Sequence, residues 1–172
     1  KIDTVVSNDE INQYYEANKQ FFKNPNELVK LRYINLVKEN PKFEKIRAKF
    51  NSFTPKDKNE LAEMAIQFKS YAFNDSIWVD INQVYEKLPF INTDNKNKYV
   101  SGGMSYQFPD STTVWIVKIK QVLPKDSPTP LQFLRPTIKQ VIINKRKVEL
   151  LQTIENEITN DAFKNNKYEI YK

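Results

Sequence analysis

The side chains that usually carry acid-base, nucleophilic or metal chemistry are scarce in this sequence. It contains neither histidine nor cysteine, so the usual general base near neutral pH, thiol nucleophiles and the commonest transition-metal ligands are missing. The paired carboxylates Asp9 with Glu10 and Glu155 with Glu157 fall in polar helical segments, which is typical of caps and solvated charge. No phosphate-binding glycine loop or nucleophile elbow occurs. We therefore predict neither a cofactor nor a metal site.

The charge of the chain favours acidic partners only weakly. Lysine and arginine number 27 against 21 acidic residues, for a net charge of +6. The lysines are scattered, and arginine occurs only at positions 32, 47, 135 and 146. Nucleic-acid modules usually cluster arginine with aromatic residues. We therefore expect no nucleic-acid partner.

Two kinds of membrane signal are missing from the sequence. No apolar run approaches the roughly 20 residues that span a bilayer, and no signal-peptide pattern begins at residue 1. The chain opens in the middle of a pattern, with Lys1 to Val6 leading into a helix cap. We expect any targeting signal or lipid anchor to lie outside this chain.

The stretch from Leu28 to Val37 is the predicted centre of the fold. Counting by twos, Leu31 and Tyr33 share one face of a strand, while Arg32 and Ile34 share the other. Because both faces carry apolar groups, we predict a strand that is covered on both sides.

Helices and a hairpin surround this strand. Ser7 with Glu10 forms a capping box that predicts a helix from Asn8. A second helix is predicted around residues 43–50, and a third begins after Thr54, with an inward stripe that continues from Leu61 to Tyr71. A short strand is predicted around Trp78. Residues 104–108 and 113–122 read as a hairpin that follows Gly102 and Gly103, the only two glycines.

The carboxy-terminal segment predicts a long helix. A proline-rich connector spans Lys125 to Pro130, and Pro136 favours a helix start near itself because proline lacks an N–H. The apolar stripe from Ile138 to Ala162 implies about thirty helical residues, or roughly 45 Å. We expect part of this stripe to pack on the first helix and the rest to need something outside the chain. Residues 168–171 alternate as a short closing strand would.

This order of elements resembles the parvulin-type peptidyl-prolyl isomerase domain of SurA-like and PpiC-like periplasmic chaperones, with lipoprotein versions from Bacteroidota the most similar. Leu31 to Leu36 lies over the family's first strand, Ala-Arg-His-Ile-Leu-Val. Leu61 to Tyr71 resembles its Phe-x-x-Leu-Ala-x-x-Tyr-Ser helix, and Trp78 its Gly-Trp-Phe segment. Gly102 to Ser105 resembles the Gly-Glu-Val-Ser turn, and Thr113 to Ile119 overlies Gly-Tyr-His-Ile-Ile-Lys-Val.

The resemblance implies an α+β fold: a small mixed or antiparallel parvulin-like sheet with surrounding helices, a flanking amino-terminal helix and a long carboxy-terminal helix. It divides the chain into a chaperone-type helix at 1–27, a parvulin-like domain at 28–123, and a linker, long helix and closing strand at 124–172. The last of these segments is expected to pack with the first.

The site implied by the resemblance has lost its chemistry. Active parvulins place two histidines face to face near a cysteine or aspartate, and Tyr33 and Trp115 occupy the histidine positions here. Asp75 is the one candidate for an acidic remnant. We therefore assign no catalytic residue. The predicted peptide-contacting residues are Tyr33, Trp78, Met104, Phe108 and Trp115.

Two interpretations of Tyr33 and Trp115 stay open. They form an aromatic pair that fills the space between strands, or they line a cleft that contacts a peptide. The discriminating feature is whether that cleft is open or filled.

Three functions follow as hypotheses. The first is a SurA-like periplasmic chaperone, with or without an outer-membrane lipid anchor, whose degenerate parvulin domain binds unfolded outer-membrane clients. The second is a divergent, weakly active peptidyl-prolyl isomerase, because proline isomerisation needs no covalent chemistry. The third is a structural lipoprotein that binds one folded partner through a contiguous apolar patch on residues 136–166.

Overall fold

The computed structural model describes residues 3–100 and 104–164. These residues form two compact units: one is Lys23–Thr129, and the other combines the described residues before Lys23 with those after Thr129. The predicted closing strand at 168–171 and the Gly102–Gly103 turn lie outside the described residues. The helices are α1 (Asn8–Asn18), α2 (Phe43–Ser52), α3 (Pro55–Glu63), α4 (Ile81–Lys87), α5 (Lys96–Val100) and α6 (Leu131–Lys164). The strands are β1 (Leu28–Val37), β2 (Phe68–Ala72), β3 (Val79–Asp80), β4 (Ser105–Pro109) and β5 (Thr113–Leu123).

All five described strands form one antiparallel sheet. The order is β2-β1-β5-β4, and β3 pairs with the start of β1. The fold is therefore α+β, as predicted, and β1 lies between β2 and β5. The bounds of β1 match the predicted strand.

Both faces of β1 are covered, as its alternating sequence predicts. One face of the sheet packs on α2 and α3, and the other packs on α4 and the loop after it. The first core contains Ile34, Leu36, Ile46, Phe50, Leu61, Val114 and Ile116. The second contains Val29, Leu31, Ile81, Val84, Leu88, Ile91, Val117 and Ile119.

The third helix ends earlier than predicted. We expected its stripe to run from Leu61 to Tyr71, but α3 stops at Glu63 and Phe68 begins β2. The reason is long-range pairing: β2 supplies hydrogen-bond partners to one side of β1, whose backbone groups would otherwise be buried without them. Phe68 still reaches the first core from its strand.

The second unit is built from α1 and the first part of α6. Ile11, Tyr15 and Ile138 are buried together, and Leu131 and Leu134 pack against them. This packing explains why α6 begins at Leu131 rather than near Pro136: burial of the first turn outweighs the one backbone hydrogen bond that Pro136 cannot donate. None of the described helices is long and apolar enough to cross a membrane.

The capping box predicted at Ser7 is present, and the predicted start of the third helix after Thr54 is a second capping box, which belongs to a charged cluster. The Thr54 and Asp57 side chains each bond the other's backbone N–H. Lys49 Nζ lies 3.3 Å from Asp57 Oδ1 and 2.6 Å from Glu60 Oε2. Hydrogen bonds from the Thr54 and Ser52 hydroxyls, together with the Lys49 ammonium, hold the pKa of Asp57 well below its ordinary value of 3.8.

We expect Asp57→Asn to lower the free energy of unfolding at about pH 7, and to lose less stability than the wild type as the pH falls from about 5 to about 2. The folded-state pKa of Asp57 is lowered, so its contribution is complete above the unfolded pKa and is lost as pH falls toward the folded pKa. Urea midpoints from circular dichroism measure this. Glu86→Gln, on the exposed face of α4, is the control and should stay close to wild type. A stability gap for Asp57→Asn that is constant with pH would contradict the assignment.

Candidate functional site

Tyr33 and Trp115 lie together on one face of the sheet. Tyr33 is on β1 and pairs with Val117, while Trp115 on β5 pairs with Asn35, so the two aromatic residues are diagonal neighbours. Their ring centroids are 5.6 Å apart at an interplanar angle of 48°. The structure therefore brings together the two positions that the resemblance aligns with the parvulin histidines.

Other aromatic residues pack around this pair. Phe108 of β4 stacks on Phe90 with ring centroids 4.0 Å apart, and Phe90 lies 5.7 Å from Trp115. Tyr99 of α5 meets Phe108 edge-on at 4.8 Å. We call Tyr33, Phe90, Tyr99, Phe108 and Trp115 the aromatic cluster. Phe90 and Tyr99 were not among the predicted site residues, because each lies in a polar loop or short helix that gives no periodic signal.

The space on the Tyr33 side of this pair is an open cleft. It has a volume of about 480 Å³, and its walls come from β1, the end of β2, the loop before β3, and α4. We call it the Tyr33 cleft. Its lining residues are Leu31, Tyr33, Ala72, Phe73, Asn74, Ile77, Val79, Gln83, Val84, Lys87 and Leu88.

The lining of the Tyr33 cleft supports binding better than proton transfer. Among its residues only Tyr33 and Lys87 carry titratable groups, and the other walls are mainly hydrocarbon. A general acid-base pair needs two groups within reach of one reacting atom. In the part of the chain that the structure describes, no cluster of carboxylates could hold a metal ion either. The cleft offers shape and apolar surface.

A second cavity lies on the Trp115 side of the cluster. It measures about 580 Å³ and is lined by Asn35, Pro89, Phe90, Phe108, Pro109, Asp110 and Trp115. Asn35 is buried, and its Oδ1 has no hydrogen-bond partner among the described residues. A buried acceptor without a partner costs free energy, so a group that donates to it from within the cavity would be stabilised.

Asp75 lies apart from this site. It belongs to the opposite face of the sheet, where its Oδ2 accepts a hydrogen bond of 2.6 Å from Nη1 of Arg32. Arg32 adjoins Tyr33 in β1 and therefore points the other way. Burial lowers the pKa of Arg32, and the hydrogen bond and charge of Asp75 act against that shift. The predicted acidic remnant, Asp75, therefore forms a buried ion pair with Arg32.

The remaining predicted residues are placed differently from one another. Phe108 joins the aromatic cluster. The Lys30 ammonium lies 4.5 Å from the ring centroid of Trp78. Met104 is exposed. Neither Trp78 nor Met104 lines the two cavities beside the Tyr33–Trp115 pair.

Comparisons with known proteins found a likeness in structure and none in sequence. No family model matches the sequence, and no curated protein sequence matches it either. A structural match covers 99% of this chain and 65% of the other, with 10% identity and a TM-score of 0.33. That structure comes from a study of the virulence factor PEB4 and the periplasmic protein Cj1289 of Campylobacter jejuni, described as two structurally related SurA-like chaperones. The chain therefore spans slightly less than two thirds of the length of the protein it matches.

We expect the Tyr33–Trp115 contact to contribute a coupling free energy of about 0.5–1.5 kcal/mol, because tilted aromatic pairs at this separation attract beyond their burial. A double-mutant cycle with Tyr33→Leu, Trp115→Leu and the combined variant, followed by urea unfolding, measures it. Additive effects of the two substitutions would mean that the rings do not interact.

Proposed function

We propose that this chain binds extended segments of non-native polypeptide in the Tyr33 cleft, and that it lacks efficient isomerase activity. The observation that carries the proposal is the cleft itself, which is open, mainly apolar and lined by Tyr33, one of the two residues that the resemblance aligns with the parvulin histidines. An apolar cleft that needs no ligand charge suits polypeptides of varied sequence.

The neighbouring cavity supplies a polar contact for such a ligand. An extended chain presents a backbone N–H at every residue except proline. The Asn35 Oδ1 lacks a partner among the described residues and could accept one of these groups. Backbone contacts of this kind add affinity without adding a sequence requirement.

Efficient proline isomerisation is not part of the proposal. The barrier to rotation is about 20 kcal/mol, and an enzyme lowers it by stabilising the twisted amide more than the planar one. At the two histidine positions, Tyr33 and Trp115 instead contact each other. The proposed activity is therefore at or near the uncatalysed rate.

The second unit supports the same function with a separate surface. Apolar residues on α6 beyond its contact with α1 are exposed, among them Leu151 at 59% and Ile158 at 64%. Such a surface favours weak contacts with apolar chain segments. The proposed location in the periplasm, with or without an outer-membrane lipid anchor, rests on the sequence resemblance alone.

We expect Ile77→Asp to weaken suppression of the aggregation of an unfolded protein by about tenfold in the concentration required, because the substitution puts a charge in the apolar cleft. Ile77 is 46% exposed, so the core should tolerate the change. Ile66→Asp is the matched control, since Ile66 is 94% exposed and lies outside the cleft. Light scattering measures aggregation, and circular dichroism checks that both variants fold.

Two results would count against this proposal. One is equal suppression by Ile77→Asp, Ile66→Asp and the wild type. The other is fast isomerisation of a proline-containing test peptide by the wild type that disappears in Tyr33→Phe, which would favour the divergent isomerase.

A second candidate function is the binding of one folded partner, and α6 is the observation that favours it. Its exposed apolar residues recur at intervals of three, four and seven along one helix: Val141, Val148, Leu151, Ile154 and Ile158. A continuous helical stripe is typical of docking on a defined surface, whereas scattered aromatics suit variable clients.

The two candidate functions predict different ligands: the first binds non-native polypeptide, and the second binds a folded protein. We expect the chain to bind a reduced and carboxymethylated protein, which stays unfolded, at least about tenfold more tightly than the native form of the same protein. Fluorescence anisotropy with both labelled forms measures this. Leu151→Asp should weaken the interaction only partly if the Tyr33 cleft contributes, whereas complete loss would favour docking through α6.

A further inference from the structure

A pair of like charges faces across the centre of the sheet. Arg32 of β1 and Lys118 of β5 are direct partners in the antiparallel ladder. Residues at such positions have Cβ atoms about 5 Å apart, and like charges there are destabilising. Both side chains lie on the face opposite the Tyr33 cleft. A fold that keeps this repulsion at its central strand pair needs a compensating negative charge.

The two side chains border a cavity of about 530 Å³. Four cationic side chains line it, and a single carboxylate joins them. We call it the cationic cavity. Its lining residues are Arg32, Asn51, Ser52, Phe53, Pro55, Lys58, Asp75, Lys118 and Lys120.

The one carboxylate is already committed to other partners. Asp75 Oδ2 accepts the 2.6 Å bond from Arg32, and its Oδ1 lies 3.4 Å from the Lys120 ammonium. The other Arg32 nitrogens donate to the Phe50 carbonyl at 3.0 and 3.2 Å. Each of the three guanidinium nitrogens thus donates a hydrogen bond, which holds the group in place.

In residues 3–100 and 104–164 no carboxylate forms an ion pair with Lys118 or with Lys58, since Asp75 pairs with Arg32 and Lys120. Of the two lysines, Lys118 is the half-buried one. Burial lowers the pKa of Lys118, and the charge of Arg32 lowers it further, while Asp75 opposes the shift. An anion that enters the cavity would stabilise the charged form of this half-buried ammonium group.

The geometry points to the cationic cavity as a binding site for a phosphomonoester dianion. A dianion matches the net positive charge of the cationic cavity better than a monoanion does. The ammonium groups of Lys58, Lys118 and Lys120 outnumber the one carboxylate, Asp75. A phosphate offers three acceptor oxygens to three ammonium groups. This site lies on the other side of β1 from the Tyr33 cleft and is independent of the proposed polypeptide binding.

The test uses the full chain and small probes at constant ionic strength. Amide chemical shifts, followed during titration, give the dissociation constant of inorganic phosphate, methyl phosphate, dimethyl phosphate and acetate. We expect inorganic and methyl phosphate to bind at least about tenfold more tightly than the two monoanions. Methyl phosphate tests a monoester, and dimethyl phosphate tests the diester group of lipids and nucleic acids. Equal or stronger binding of dimethyl phosphate or acetate overturns the proposal.

Lys118→Gln separates a binding role from a structural one. We expect it to weaken phosphate binding at least about tenfold, while raising the urea midpoint in the absence of phosphate, because the repulsion of Arg32 is removed. Lys69→Gln is the charge-matched control, since Lys69 is exposed on β2 and lies outside the cavity. Equal loss of phosphate binding in both variants, or full binding in Lys118→Gln, overturns the proposal.

Discussion

The alternation of side chains along β1 is the constraint on which the rest of the structure depends. Arg32 and Tyr33 are neighbours in sequence, and the strand sends them to opposite faces. A slip of one residue against β5 would exchange their environments, placing a guanidinium among the aromatic rings. Two apolar pairs between β1 and β5 fix the register. Ile34 pairs with Ile116, and both are fully buried, while Leu31 pairs with Ile119. The Tyr33 cleft and the cationic cavity therefore lie on opposite faces of the same strand.

The apolar face combines aromatic contacts with open space. Contacts between the aromatic rings stabilise the sheet, and cavities remain beside them. In this structure Phe90 packs against Trp115 and Phe108 packs against Phe90, and a cavity remains on each side of the Tyr33–Trp115 pair. Tyr33 thus packs on Trp115 and also lines an open cleft, and its contact with a peptide stays a prediction.

Local signals predicted the parts of the fold that local physics determines. The capping boxes at Ser7 and Thr54 and the alternation of β1 act within a few residues, and the structure confirms them. The strand at Phe68 and the early start of α6 at Leu131 depend on partners distant in sequence, which a periodic pattern cannot reveal. For the same reason the resemblance grouped Asp75 with the Tyr33 site, since nothing local in the sequence indicates that Asp75 pairs with Arg32 on the opposite face.

The most direct test of the account is to map where a non-native polypeptide binds. The ¹⁵N-labelled chain would be titrated with an unlabelled, permanently unfolded polypeptide while its backbone amide shifts are followed. The account predicts that shifts concentrate at the Tyr33 cleft, at residues such as Leu31, Tyr33, Ile77 and Val84. Shifts that leave these residues unchanged, or that are confined to residues outside the cleft, would contradict it.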